Sequence, residues 1–194
     1  KDKKPTGYRV ELCRSVIGVI ERQIGVTPLQ IKWVPVTLQN RFSTVASGQA
    51  DMECGATTVT LGRMKEVGFS SLTFVDGTGL LVRASTPGNS LMDLANKKIG
   101  VIPGSSNERA LNEALASDRV LLVGLVAKSK DAKALALLGD PLSFEPYAIV
   151  LPRGDWAMRQ AVDAALSQIY KSPALPELYN RWFAALGRPA PVLE

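Results

Sequence analysis

Lys98-Ile-Gly-Val-Ile-Pro-Gly-Ser-Ser-Asn-Glu108 reads as an apolar strand that turns at Pro103-Gly104 and passes directly into a helix. Ser105 and Glu108 have capping-box spacing, in which a hydroxyl and a carboxylate satisfy the free N–H groups of a helix start. The predicted order is therefore a strand over Lys98 to Ile102, a Gly-Ser-Ser loop and a helix over Ser105 to Leu115. The same order recurs upstream, with a short strand over Asp51 to Cys54, the loop Gly55-Ala56-Thr57-Thr58 and a helix around Thr60 to Val67. Leu12, Val16, Val19, Ile20 and Ile24 recur at helical spacing before Gly25, which predicts an amphipathic helix over Glu11 to Ile24. A buried strand is expected over Ile31 to Val36, a short glycine-capped helix over Asn40 to Ala46 and extended chain from Leu72 to Arg83. Beyond the turn Thr86-Pro87-Gly88-Asn89, Ser90 caps a short helix. Strands follow at Ala134 to Leu138 and Tyr147 to Leu151, then a helix capped by Asp155 that runs to Tyr170, and a last helix over Leu175 to Leu186. Alternation of this kind predicts an α/β protein with mixed, mostly parallel sheets.

Composition narrows the functions available. The chain has 194 residues, 46% hydrophobic and 21% charged, and charged residues or glycines interrupt every apolar run before it could span a membrane. It has no histidine, the commonest metal ligand and general base, and only two cysteines. Metal-dependent, Ser-His and Cys-His chemistries are set aside on that ground, and no metal or cofactor is expected. The net charge of +5 is scattered apart from Lys1-Asp2-Lys3-Lys4, with no basic stripe interleaved with aromatics, so nucleic acid is not an expected partner. Cys13 and Cys54 each lie inside an apolar pattern and read as buried thiols, with a disulfide between them as the less favoured alternative.

The two loops follow the C-terminal ends of predicted strands, where open α/β sheets place their ligands. A helix start offers N–H groups and hydroxyls to an anion at Ser105 and Ser106, and Arg63, just beyond Thr58, offers a carboxylate a bidentate guanidinium. Together these residues describe a carboxylate clamp. The competing readings are a plain helix cap at Ser105 and a solvated arginine at position 63. The Gly-Ser-Ser loop lacks the lysine of a phosphate loop, which leaves nucleotide binding as a weak alternative.

Several stretches carry a family resemblance. Pro5-Thr-Gly-Tyr followed by Val10-Glu-Leu-Cys, Gln39-Asn-Arg-Phe-Ser, Gly48-Gln-Ala-Asp-Met-Glu-Cys-Gly-Ala-Thr-Thr, Arg63, Phe69-Ser-Ser, the Gly-Ser-Ser loop with Glu108 and Tyr179-Asn-Arg-Trp-Phe occur in order along nearly the whole chain. They resemble the periplasmic amino-acid-binding proteins of ABC importers, the family 3 extracellular solute-binding proteins, and within them the glutamate/aspartate type. The resemblance implies a two-lobed type II periplasmic-binding-protein fold with two hinge strands. Residues 1–80 and 143–194 would form one lobe and 84–139 the other, apparently incomplete, with hinges near 81–84 and 139–143.

By the same resemblance, Arg63 would hold the α-carboxylate of an amino acid with help from Thr58 and the Ser105-Ser106 loop. Asp118 would take the α-ammonium, with a helix N-cap as its competing reading, and Arg41 would reach toward an acidic side chain. Ala56 and Thr57 would complete the loop. Leu38 and Ala56 stand where relatives with acidic ligands carry serines, so a neutral or smaller polar amino acid stays open. The implied protein is a monomeric binder in the bacterial periplasm, its signal peptide removed, that hands an acidic or small polar amino acid to an ABC permease. A ligand-sensing receptor domain and a cyclohexadienyl-dehydratase-like enzyme are the alternatives. The chain opens at the Pro-Thr-Gly-Tyr motif without the family's preceding strand. Leu115 meets Ala116-Ser-Asp where relatives carry a further helix and strand, so these two residues are expected not to be covalent neighbours.

Overall fold

The computed structural model describes residues 4–26, 28–86, 88, 90–94, 99–109, 117–118, 133, 135–139 and 142–184. The chain divides into two compact units, Lys1–Thr73 with Tyr147–Glu194, and Phe74–Pro146.

In the first unit, helix α1 (Tyr8–Ile24) buries Leu12, Cys13, Val16 and Val19 along one face. Glu11 in its first turn and Arg22 in its last match the helix dipole. The helix stops at Gly25, whose φ of 70° is the left-handed conformation that glycine adopts without a Cβ clash. Helix α3 (Trp156–Tyr170) presents Val162, Ala165, Leu166 and Ile169 to the interior and packs on α1; Asp155 caps it by accepting from Met158 N at 2.9 Å. Helix α4 (Ala174–Phe183) closes the end of α1, where Tyr8, Tyr179 and Phe183 form an aromatic cluster with centroids 4.8–6.4 Å apart. Each aliphatic side chain fully buried in this way stabilises the fold by about 1.5–3 kcal/mol. Strands β1 (Gly68–Asp76) and β5 (Glu145–Leu151) pair, and Val67, Phe69, Ala148 and Val150 form a core with Val45 from the short helix α2 (Arg41–Ala46).

The second unit is built on a sheet of order β3-β2-β4, with β2 (Thr78–Arg83) between β3 (Ser117–Asp118) and β4 (Leu135–Leu138). Its described core is small: Leu80 and Leu94, with Val82, Ile99 and Leu142 packed against them.

Among the described residues β2 runs antiparallel to both β3 and β4. The unit begins within β1, at Phe74, and ends within β5, at Pro146. Several expectations are corrected. Ile31 to Val36 is extended but forms no strand, and Ile31, Val34 and Val36 are exposed. These residues border a cavity of about 540 Å³ instead of a paired neighbour, so their β propensity finds no ladder. Thr60 to Val67 holds only a single 3-10 turn, Arg63–Lys65, and among the described residues the stretch 99–102 pairs with no strand. The two cysteines are joined in a disulfide, not free: Cys13 on the buried face of α1 lies 6.3 Å, Cα to Cα, from Cys54. Helix beyond Arg109, the junction of Leu115 with Ala116 and the segment 120–126 lie outside the described residues.

Candidate functional site

Residues 53–58 run beside β5 and meet it at two antiparallel bridges, Glu53 with Val150 and Thr58 with Tyr147. This alignment decides which side chains face inward. Thr57 is fully buried and its hydroxyl donates to Glu53 Oε2 at 2.8 Å, so its oxygen is committed to the interior. A Cβ at Gly55 would sit 2.0 Å from Glu53 Oε1, so only glycine lets that carboxylate fold back onto Thr57. The disulfide fastens Cys54, at the start of the loop, to α1.

Thr58 is also buried, and its carbonyl accepts from Arg63 Nη1 at 2.7 Å. Thr60 starts the turn that carries Arg63 by accepting from the Arg63 N–H at 3.2 Å. The Arg63 guanidinium thereby lies over Phe42, 5.5 Å from its ring centre, and the guanidinium of Arg41 lies 4.7 Å from the same ring. One phenyl ring thus gathers two of the predicted site residues, placing their charges within about 10 Å, roughly a Debye length at 0.1 M salt. Arg41 is only 5% exposed. Two like charges this close repel each other, and cation–π attraction offsets part of that repulsion. An anion beside them would relieve more. Ala56 is half-buried in the intervening loop and brings no polar group.

Of the predicted residues of the second unit, Asp118 pairs with β2. Ser105 Oγ accepts from the Glu108 N–H at 3.1 Å and donates to Ile102 O at 2.7 Å, while Glu108 Oε2 accepts from Gly104 N at 2.7 Å. The hydroxyl half of the capping box is therefore formed, and the carboxylate bonds the N–H of Gly104, one residue before Ser105. Ser106 begins the helical turn and is half-buried. Asp118 lies in β3 opposite Thr78, and the segment on which its helix-cap alternative depends lies outside the described residues. Sequence reasoning missed Phe42 as the platform under both arginines, and Thr78, Asn107, Ser143 and Glu145 as a buried polar group beside the loop. Only Asn-Arg-Phe, which sets Phe42 next to Arg41, carried a usable signal.

The 540 Å³ cavity adjoins the start of the 53–58 loop, since Glu53, Cys54 and Gly55 are in its lining. Val10, Ile17, Ile20, Ile31 and Val34 are prominent in its lining, which does not include Arg41, Thr58 or Arg63. Among the described residues no cluster of histidine, cysteine or acidic side chains could hold a metal, and no helix is long and apolar enough to cross a membrane.

The family model of bacterial extracellular solute-binding proteins, family 3, matches residues 1–185. The chain belongs to that family. Membership makes it an extracytoplasmic solute-binding protein. Among curated proteins it is similar to the L-glutamate/L-aspartate-binding protein of Pseudomonas aeruginosa, 29% identical over 210 residues that cover 93% of this chain and 70% of the relative. It is likewise similar to the glutamate/aspartate import solute-binding protein of Escherichia coli, 26% identical over 211 residues with the same coverage. Alignments of that length on 93% of a 194-residue chain mean that the relatives carry residues for which this family member has no counterpart. Among solved structures it resembles the arginine-, lysine-, histidine-binding protein of Geobacillus stearothermophilus, with a TM-score of 0.79 at 22% identity over 99% of this chain and 90% of that one. An ancestral amino-acid-binding protein described as a precursor of cyclohexadienyl dehydratase gives 0.78 at 22% identity, over 94% and 88%. These likenesses show the two-lobed type II fold.

Proposed function

We propose that this family member captures an α-amino acid, with acidic or small polar side chains favoured, for delivery to an ABC permease. The observation that carries the reading is the convergence of Arg41 and Arg63 on Phe42 beside the buried Thr58. An α-carboxylate bound by Arg63 gains a charge-assisted, bidentate contact, and Arg41 gives a side-chain carboxylate a second partner. On the family resemblance, Ser105 and Ser106 are taken as further carboxylate partners and Asp118 as the partner of the ammonium group. Opposite charges set against each charged group of one small ligand suit a binder and need no proton transfer. The names of these curated relatives, glutamate/aspartate-binding and glutamine-binding proteins, support the same class. In this reading the protein works in the periplasm after its leader is removed, as a monomer.

A thermal-shift screen against the twenty common L-amino acids tests the class. A ligand at one hundred times its dissociation constant stabilises the folded state by about 2.7 kcal/mol. L-glutamate and L-aspartate are expected to raise Tm most, and a screen in which no amino acid raises Tm would refute the proposal.

A further inference from the structure

The capping box shapes the Gly104–Asn107 turn through bonds between near neighbours, Ser105 with Ile102 and Glu108, and Glu108 with Gly104. Such bonds set the form of a turn but not its place in the molecule. Its place depends on contacts with distant chain, and Asn107 makes one. This side chain is 4% exposed, and its Oδ1 accepts from Thr78 Oγ1 at 3.1 Å across 29 residues of sequence.

Thr78 opens β2 with no solvent exposure and is the hub of a wider group. Its hydroxyl also lies 3.3 Å from Glu145 Oε1. Ser143 Oγ donates to Glu145 Oε1 at 2.9 Å and approaches Thr78 Oγ1 to 2.5 Å. Glu145, the first residue of β5, is 4% exposed. Four polar side chains from three segments thus meet in the smaller unit, where apolar residues would fill the same space without a desolvation cost. The same Thr78 stands opposite Asp118 in the β2–β3 ladder. One residue therefore touches the neighbour of Ser106 through its side chain and Asp118 through strand register.

We propose that Thr78 is a positioning residue: donating to Asn107 and accepting from Ser143, it fixes the Ser105-Ser106 turn relative to strand β3 for ligand binding. The inference rests on the amino-acid reading above. Thr78→Val keeps the β-branched shape and deletes the hydroxyl, and Thr78→Ser restores it. Hydrogen exchange on the ligand-free protein reads the turn without any ligand. Amides of residues 105–109 are expected to exchange at least tenfold faster in Thr78→Val and near the wild-type rate in Thr78→Ser, with β4 and α1 unchanged. Calorimetry is expected to show L-glutamate and L-glutamine weakened by the same factor, tenfold or more, in Thr78→Val and restored in Thr78→Ser. Unchanged exchange at 105–109, or a uniform rise across the whole unit including β4, would overturn the positioning role. So would altered exchange at the turn with unaltered affinity. If wild type binds neither amino acid, the amino-acid reading fails, while the exchange result still decides whether Thr78 holds the turn. Should Thr78→Val not fold, Asn107→Ala removes the other end of the bond, and the same two readouts apply.

Discussion

Replacing both Cys13 and Cys54 by alanine is expected to lower stability substantially, because the disulfide closes a long loop. The two residues are 41 apart in sequence. In the chain-entropy account, a loop of that length removes about 13 cal/mol/K from the unfolded ensemble, or about 4 kcal/mol at 25 °C. For a chain of this size each kcal/mol moves Tm by about 2–4 °C, so a fall of about 8–16 °C is expected. The perturbation also reaches the candidate site, since Cys54 immediately precedes the Gly55–Thr58 loop whose Thr58 carbonyl receives Arg63. Differential scanning calorimetry of wild type with and without a phosphine reductant, beside the double variant, separates the cross-link from packing. Reduced wild type should melt close to the double variant, and unreduced wild type well above both. A wild type whose Tm is indifferent to reductant would refute the reasoning, because it would mean that the thiols are free in solution.

Two further outcomes are expected. Arg41→Met should weaken L-glutamate far more than L-glutamine in calorimetry, since only the acidic side chain loses a charge-assisted partner; equal loss for both would make Arg41 a structural residue of the Phe42 cluster. Burial pushes the Tyr8 hydroxyl from its ordinary value of 10 up to about 12. The unfolded chain therefore releases this proton first, and stability falls as pH rises from about 10 through 12, at up to about 1.4 kcal/mol per pH unit. Denaturant titrations of Tyr8→Phe over that range should show a shallower decline than wild type, and an identical slope would contradict the assignment.

Elements whose pattern and punctuation agree were legible. α1 shows helical spacing ended by Gly25, and Asp155 announces α3. The capping box at Ser105 was readable because it is local chemistry at fixed spacing. Ile31 to Val36 was misread because β-branched residues report readiness for a sheet, whereas a strand also needs a neighbour to pair with, and here the apolar side chains border a cavity. The disulfide was discounted because sequence does not state that the Glu53–Val150 bridge carries Cys54 over the buried face of α1. Thr57 and Thr58 look alike in sequence, yet the register beside β5 commits the Thr57 hydroxyl to Glu53 and leaves Thr58 to receive Arg63. The hub at Thr78 was invisible for the same reason: nothing in Asp76-Gly77-Thr78 reveals that Asn107, Ser143 and Glu145 will surround it.

The central claim is that Arg63 anchors the group every α-amino acid shares. Calorimetric titration of Arg63→Ala with L-glutamate, L-aspartate and L-glutamine tests it most directly, because truncating one partner of a desolvated charge pair typically costs about 2–5 kcal/mol. The expected result is a loss of at least tenfold in affinity for all three ligands in a protein that still folds, since Arg63 is half-buried in a short turn and contributes little to the core. A folded Arg63→Ala protein that binds any of them with wild-type affinity would contradict the account.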